Sequence, residues 1–558
     1  MSLFEPKILS TLRGYDRKTF FSDLSSGIIV GIVALPLAIA FAIASGVSPE
    51  RGLITAVIAG FLISLLGGSR VQIGGPTGAF IVIVYGIVEQ FGVQGLIIAT
   101  IMAGIMLVAM GFLKLGSIIQ FMPYSIVVGF TSGIAVIIFS SQIKDLMGLG
   151  GEAIPAGFVE KWGYYFQHFT TINYIALAIG LGTIFTGIFW KKISRSIPGS
   201  LVAIIISTLA VTLFELPVET IGSRFGEIRA GIPAPGIPAL DYATFRMLLM
   251  PAFTIAMLGA IESLLSAMVA DGATGYRHRP NTELIAQGVA NIITPLFGGI
   301  PATGAIARTM TNIRNGGKTP VAGIIHAVVL LLILLFVGKL ARLIPLSALA
   351  GILVLVAYNM SEWRTFRSLL RNTKSDIAVL LTTFFLTVFI DLTVAIQFGL
   401  LLAVFLLVRR VSETTDIEVL KNQIEDEGSH ISDDEEKLDI PADTEVFQIK
   451  GPFFFGIVNK FEEAEKRSGC RPRIRIIRMR RVPFIDSTGL KNLRSFIARC
   501  QHQKIIIMLS GVQPRTSEAL EKEGIHDMVG RNMVFPNIEQ ALEGARKIVS
   551  AENPQTIR

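Results

Sequence analysis

GGPTGAF at Gly74–Phe80 and GGIPATGAIAR at Gly298–Arg308 decide how the rest of the chain is read. Each interrupts an apolar segment at what its flanking runs make membrane depth, and each contains Thr-Gly-Ala. Thr77-Gly78-Ala79 and Thr303-Gly304-Ala305 lie 226 residues apart, and the same shift carries Ala44-Ser45-Gly46 onto Ala270-Asp271-Gly272. The chain therefore reads as an internal duplication. Pro/Gly breaks at corresponding places in two halves are the sequence pointer to a transporter's binding site, where half-helix N-termini meet near the midplane. Unpaired N–H groups and the positive end of the helix dipole suit such a site to an anion.

Composition sets the same frame. Of 558 residues 51% are apolar and 16% charged, and the mean hydropathy of +0.61 lies beyond that of a soluble globular chain. Ionisable groups are sparse over 24–408 and ordinary in frequency over 409–558, which predicts a membrane part and a soluble part. The expected division is a cytoplasmic N-terminal segment 1–23, a membrane transport domain 24–410, an acidic linker 411–445 containing Asp433-Asp434-Glu435-Glu436, and a small domain 446–550. The net charge of +8 is a topology signal and not a nucleic-acid surface, because the Lys and Arg of the membrane region sit mostly in short loops. Cys470 and Cys500 both fall in the soluble tail and build no disulfide scaffold. The six histidines lack metal-ligand spacing, so neither a metal nor a cofactor is expected. The N-terminus has no small-residue cleavage site and is not read as a removed signal peptide.

A helix needs about 20 mostly apolar residues to span a bilayer, and fewer where it is broken inside protein. Fourteen candidates lie near 25–44, 52–67, 75–89, 94–113, 124–143, 173–190, 197–214, 245–270, 284–299, 304–315, 319–338, 346–360, 375–391 and 393–408. The third and tenth are too short alone, and extended strands at Val71-Gln72-Ile73 and Ile300-Pro301-Ala302 are expected to complete their crossings. Alternate loops hold the excess of Lys and Arg, among them Arg70, Lys114, Lys191, Arg277, Arg314, Arg364 and Arg409. Those loops and both termini are expected in the cytoplasm. Seven segments per half is an odd number, which forces the two halves into opposite orientations as an inverted repeat. After Val446 short β-type runs (VFQIKG, IRIIRM, KIIIML) alternate with helical ones and predict a small α/β domain.

Glu262 is the acidic residue inside the eighth segment. An ionisable group there costs about 2.5–3.5 kcal/mol on insertion scales, which predicts a cavity-facing role as a proton carrier or cation ligand, or else a static ion pair. Its counterpart under the 226-residue shift is Pro36. Arg308 follows Gly304 by one helical turn, so its guanidinium can offer a bidentate fork to an oxyanion, neutralise Glu262, or snorkel to the cytoplasm. Thr77 and Thr303, with Gly78, Ala79, Gly304 and Ala305, stand where hydroxyls join a nest of backbone N–H groups or cap the half-helices. Phe41 and Phe80 are candidates to wall the site, or are packing. In the tail, Asp486 reads as an N-cap and Ser487 as an exposed hydroxyl at the positive end of a helix, where a phosphate is favoured.

The runs LPLAIAFAIASG at Leu35–Gly46, IGGPTGAF at Ile73–Phe80, IPATGAIARTMTNIRNGGKTP at Ile300–Pro320 and FIDSTGL before a C-terminal helix together resemble the SulP family of anion transporters, bacterial relatives of the SLC26 carriers. The tail is similar to a STAS domain, in which the Ser after Asp can be phosphorylated, here Ser487. The resemblance covers nearly the whole chain. It implies an all-α polytopic membrane domain of fourteen segments in a 7+7 inverted repeat, with an SLC26-like core and gate, a small cytoplasmic α/β STAS domain, a homodimer, and elevator-like movement of a site between segments three and ten. Two departures stand out: Leu37 where relatives often have Gln, and Ala307 where a Ser often precedes the Arg. Backbone N–H groups and Arg308 must then do most of the binding. Sodium-dependent bicarbonate carriers of the family use Asp near the position of Glu262, and a Glu there leans toward protons.

The reading is therefore a multi-pass transporter of the bacterial plasma (inner) membrane, surrounded by lipid, that imports sulfate or a related small oxyanion with H+. Glu262 supplies the coupling. The alternatives are a C4-dicarboxylate or Na+-coupled bicarbonate transporter, an anion channel, or a membrane-anchored anion sensor whose STAS tail meets a cytoplasmic partner. No Gly-rich phosphate loop, nucleophile elbow or metal cluster points to an enzyme.

Overall fold

The computed structural model describes residues 4–119, 122–151, 155, 157–193, 198–226, 231–236, 242–336, 338–390, 392–421, 438–467 and 472–551. Cys470 and the acidic run 433–436 lie outside them. The chain divides into two compact units, 1–403 and 404–558.

A helix accompanies each expected span. α1 is Arg17–Ala44 and α2 Pro49–Leu66; the helix Ile81–Phe112 is broken at Gly92, whose φ of 67° no ordinary helix residue adopts, into α3 (81–91) and α4 (93–112). Then follow α5 Tyr124–Met147, α6 Tyr174–Ile193, α7 Gly199–Leu213, α8 Tyr242–Thr274, α9 Pro280–Leu296, α10 Ile306–Arg314, α11 Pro320–Phe336, α12 Leu346–Met360, α13 Lys374–Phe389 and α14 Leu392–Thr414. α1–α4 pack with α8–α11 into a core bundle, and α5–α7 pack with α12 and α13 into a gate bundle. Small residues let the backbones close up, as lipid-embedded helices require. A Cβ on Gly104 of α4 would stand 2.7 Å from the carbonyl oxygen of Gly288 in α9, and one on Gly351 of α12 would stand 2.7 Å from that of Gly180 in α6.

The extended strands lie a few residues beyond the places expected for them. β1 is Gly74–Gly75 and β2 is Thr303–Gly304, paired antiparallel as Gly74 with Gly304 and Gly75 with Thr303. The shift follows from sterics: a Cβ at Gly74 would fall 2.3 Å from Ile63 Cδ1, so only the glycines bring the two chains this close to α2. Carried one step further, the same register sets Pro76 opposite Ala302, and these two residues are themselves related by the 226-residue shift. A register that brings repeat-equivalent residues opposite one another is the one that the two-fold axis of an inverted repeat requires. Packing obeys that axis too. α1 lies against α11 as α8 lies against α4, and α2 against α11 as α9 against α4.

The second unit holds a five-stranded sheet in the order β3-β4-β5-β6-β7: Asp416–Lys421, Thr444–Lys450, Ile474–Arg481, Ile506–Ser510 and Val534–Phe535. β3 is antiparallel to β4 and the others run parallel. Alternate residues serve opposite faces, as the strand period dictates. Phe447 and Ile477 enter a cluster with Phe461 and Phe496, while Val446 and Ile476 enter another with Met508 and Ala541. α15 (Val458–Arg467), α16 (Ser487–His502), α17 (Pro514–Lys522), α18 (Ile525–Val529) and α19 (Ile538–Ala551) complete the unit. β3 corrects the expectation of a linker over 411–445. Its Ile417 and Val419 pack on one apolar cluster and Leu420 on the other, a pattern that the neighbouring acidic run obscured.

One buried ion pair crosses the first parallel pair of strands. Arg475 Nη2 lies 3.0 Å from Glu445 Oε2, with side chains 5% and 3% exposed. The guanidinium sits 4.8 Å from the ring centroid of Phe447 and 5.3 Å from that of Phe496. Removing one partner of a buried pair costs about 3–5 kcal/mol. Glu445→Ala is therefore expected to lose hydrogen-exchange protection at the β4 and β5 amides of the full-length protein. Protection equal to that of the parent would show the pair to be dispensable.

Candidate functional site

The extended stretch before the first half-helix is stitched to the start and body of the second. Ile73 N donates to Thr309 Oγ1 (3.0 Å), and Ala305 N donates to Ile73 O (2.8 Å). Asn312 Nδ2 donates to Val71 O (2.8 Å), and Ser26 of α1 bonds Asn312 in turn (2.7 Å). Glycine is obligatory where side chains fill the remaining space. A Cβ on Gly75, whose φ is 147°, would stand 2.5 Å from Arg308 Nη1, and one on Gly304 would stand 1.7 Å from Gln72 Nε2.

Each half-helix starts without a side-chain cap. Thr77 precedes the turn Gly78–Phe80 that leads into α3, and Ala305 precedes α10. The leading N–H groups of both are thus not closed off by a capping hydroxyl or carboxylate. The two threonine hydroxyls serve α8 instead. Thr77 Oγ1 donates to Glu262 Oε2 (3.0 Å), and the fully buried Thr303 donates through Oγ1 to Gly259 O (2.9 Å). This corrects both the capping and the nest readings of these hydroxyls. They are struts to α8.

Two charges of opposite sign hold neighbouring residues of one segment. Arg308, 2% exposed, donates through Nη2 to Pro76 O, while Glu262 holds Thr77. Nη1 of Arg308 is buried and, among the described residues, makes no hydrogen bond. No ion pair joins Arg308 to Glu262 among the described residues; Pro76 and Thr77 are held by one charge each. The remaining candidates divide. Phe41 faces Gly78, whose Cβ position lies 3.5 Å from Phe41 Cε1, 3.4 Å from Ile138 Cδ1 of α5 and 3.0 Å from Met360 Sδ at the end of α12, so core and gate meet at that glycine. Phe80 is 1% exposed and points its ring toward Gly259 and Leu107, where it packs. Ala79 and Ala305 are buried beside the helix starts. Ser487 stands apart in the second unit. It is exposed at the first position of α16, while Asp486 Oδ1 accepts from Gly489 N (2.7 Å) and Oδ2 from Phe455 N (3.1 Å).

Sequence reasoning missed the polar stripe beneath the site. Glu283 is fully buried on α9; its Oε2 accepts from Gly68 N (2.8 Å) and Ser69 N (3.2 Å), and its Oε1 from Ser263 Oγ (3.1 Å) and Gln287 Nε2 (2.9 Å). Gln72 Nε2 reaches Ser263 Oγ (3.0 Å), which ties this network to the space above Gly304. Asn291 grips Ala302 through both its amide atoms (2.8 Å each). The signal was present as Glu283, Gln287 and Asn291 at four-residue spacing on an otherwise apolar helix, which puts them on one face. His326 of α11 is a second omission. It is fully buried, and neither ring nitrogen has a partner among the described residues.

Comparison with known proteins sets this arrangement in context. The model of the sulfate permease family matches residues 20–383, and that of the STAS domain matches 437–541. A Bacillus subtilis protein named putative sulfate transporter YvdB is 42% identical over 95% of this chain and 98% of its own length. The protein named bicarbonate transporter BicA of Picosynechococcus is 31% identical over 94% of each chain. The solved transmembrane domain of a cyanobacterial BicA superposes with a TM-score of 0.61 at 32% identity, covering 70% of this chain and 98% of that one. The overall structure of SLC26A9 shares the fold, with a TM-score of 0.86 at 18% identity over 99% of this chain and 94% of that one. Matched in both domains and along almost its whole length, this chain belongs to the sulfate permease family, membrane anion transporters and not enzymes.

Proposed function

We propose that the chain imports sulfate or a related small oxyanion together with protons, by elevator-like movement of the core bundle against the gate bundle. The observation that carries this reading is the clamp on Pro76 and Thr77, which presents two uncapped half-helix starts and a buried guanidinium to one place. Backbone N–H groups and Arg308 then bind the anion, with Phe41 at its mouth. Glu262 is suited to the proton because its carboxylate has a hydroxyl as partner and no cation among the described residues, so protonation there breaks no ion pair. Loading of the anion and of the proton are linked through Thr77. Sidedness follows the basic loops, with both termini cytoplasmic, and the chain works as a homodimer. Ser487, exposed at a helix start already capped by Asp486, is a phosphorylation site.

Uptake of labelled sulfate into proteoliposomes under an inward proton gradient tests the reading, with unlabelled fumarate and bicarbonate as competitors. Gradient-stimulated uptake is expected; uptake indifferent to the gradient would remove proton coupling. Glu262→Gln keeps an acceptor for Thr77 but cannot ionise, so its uptake is expected to lose its pH dependence while the folded protein survives. A parental pH profile in that variant would take the proton away from Glu262. The relative named bicarbonate transporter supports one further reading, Na+-coupled bicarbonate uptake at the same site. Stimulation of bicarbonate uptake by a sodium gradient in place of a proton gradient would favour it.

A further inference from the structure

A second cationic group stands apart from the half-helix site, in a cleft of about 850 Å³ on the face opposite the basic loops. The cleft runs along α3 from Glu89 and Tyr85 to Ile81, which directly follows the Gly78–Phe80 turn. Its other wall includes Asp145 of α5, Arg224, and Lys161 on the connecting helix Phe158–Gln167. The cations differ in their partners. Arg224 is paired with Asp145 (2.9 Å) and Glu219, and Lys144 donates to Gly151 O (2.8 Å). Lys161 is only 9% exposed, lies over the Tyr85 ring at 6.0 Å, and among the described residues its ammonium makes neither a hydrogen bond nor an ion pair. Burial lowers its pKa and the field of Glu89 opposes that. A buried ammonium without a carboxylate partner is costly in a resting cleft, and an anion entering the cleft would supply what it lacks.

We propose that Lys161 is an outer capture site for a small oxyanion, which it holds at the mouth of the cleft before the anion passes along α3 to the half-helix starts. This rests on the transport reading above. A capture residue sets how much anion is needed and not how fast the loaded carrier moves. Lys161→Met is therefore expected to raise the half-saturating sulfate concentration about tenfold for uptake from the cleft side, equivalent to about 1.4 kcal/mol of binding. The maximal rate stays within about twofold. Lys161→Arg retains the parental value.

Charge and packing are separated by Lys161→Cys. Treatment with an aminoethyl methanethiosulfonate, which appends an ammonium, restores half-saturation, whereas the anionic sulfonatoethyl reagent does not. An unchanged half-saturation in Lys161→Met, or equal restoration by both reagents, overturns the capture site. Equilibrium binding of labelled sulfate and labelled bicarbonate to the purified protein is measured in parallel. Binding that depends on Lys161 without carriage across the membrane overturns the transport reading alone. Carriage indifferent to Lys161 overturns the capture site alone.

Discussion

Arg308→Ala lowers sulfate uptake by on the order of a hundredfold or more while the protein remains folded. Truncating one partner of a buried, charge-assisted contact costs about 2–5 kcal/mol, and each 1.4 kcal/mol is about tenfold. The geometry explains why no neighbour compensates. Nη2 is committed to Pro76 O, Nη1 has no protein partner among the described residues, and Gly75 leaves room for that nitrogen alone. Arg308→Lys is the sharper variant. A single ammonium can replace the bond to Pro76 or reach the anion, but it lacks the planar fork that does both. Its stability is therefore expected near that of the parent with uptake near the level of Arg308→Ala. Thermal unfolding of the purified protein beside proteoliposome uptake checks both halves, and full transport by the lysine variant would assign the anion to the backbone groups without Arg308.

Glu283→Ala has the opposite signature, losing the fold with the function. Its carboxylate accepts from two backbone N–H groups, a hydroxyl and an amide in a fully buried place. Deleting it strands all four donors where water is scarce, at an expected cost of about 3–5 kcal/mol. The damage spreads through Ser263 and Gln72 to the closely packed Gly304. Glu283→Gln is milder but still harmful, because one acceptor oxygen is replaced by a donor that faces donors. The expected result is a lowered unfolding midpoint for both variants, larger for alanine. A midpoint for Glu283→Ala within about 2 °C of the parent, below about 1 kcal/mol by the usual scaling, would show that water fills the gap. Glu262 makes the contrast. It is partly exposed with a single hydroxyl partner, so a structural role predicts far less of it.

Both acidic residues sit near the crossing, yet only one was legible as important from the chain. Glu262 stood out because it is the one ionisable residue in the long apolar run Pro251–Ala270. Glu283 was set at the edge of its span, among Pro280, Asn281 and Thr282, where polar residues attract no notice. Apart from Gln287 on its own helix, its partners are Ser263, 20 residues away in α8, and Gly68 and Ser69, more than 200 residues away. The threonines show a related limit. The motif marked Thr77 and Thr303 as equivalent, but whether a hydroxyl turns to its own helix start or across to α8 is settled by which acceptor lies within reach.

By itself the sequence determined the two units, the fourteen segments, the inverted repeat and the glycine-bearing breaks, because hydropathy, charge asymmetry and a repeated motif are local or periodic properties of the chain. Only the tertiary structure decided that Arg308 and Glu262 hold adjacent residues instead of one another, that β1 meets β2 through glycines, and that Lys161 stands buried above the path of α3. Those facts depend on distances between residues far apart in sequence, and on which donors are left over once every nearer partner has been taken.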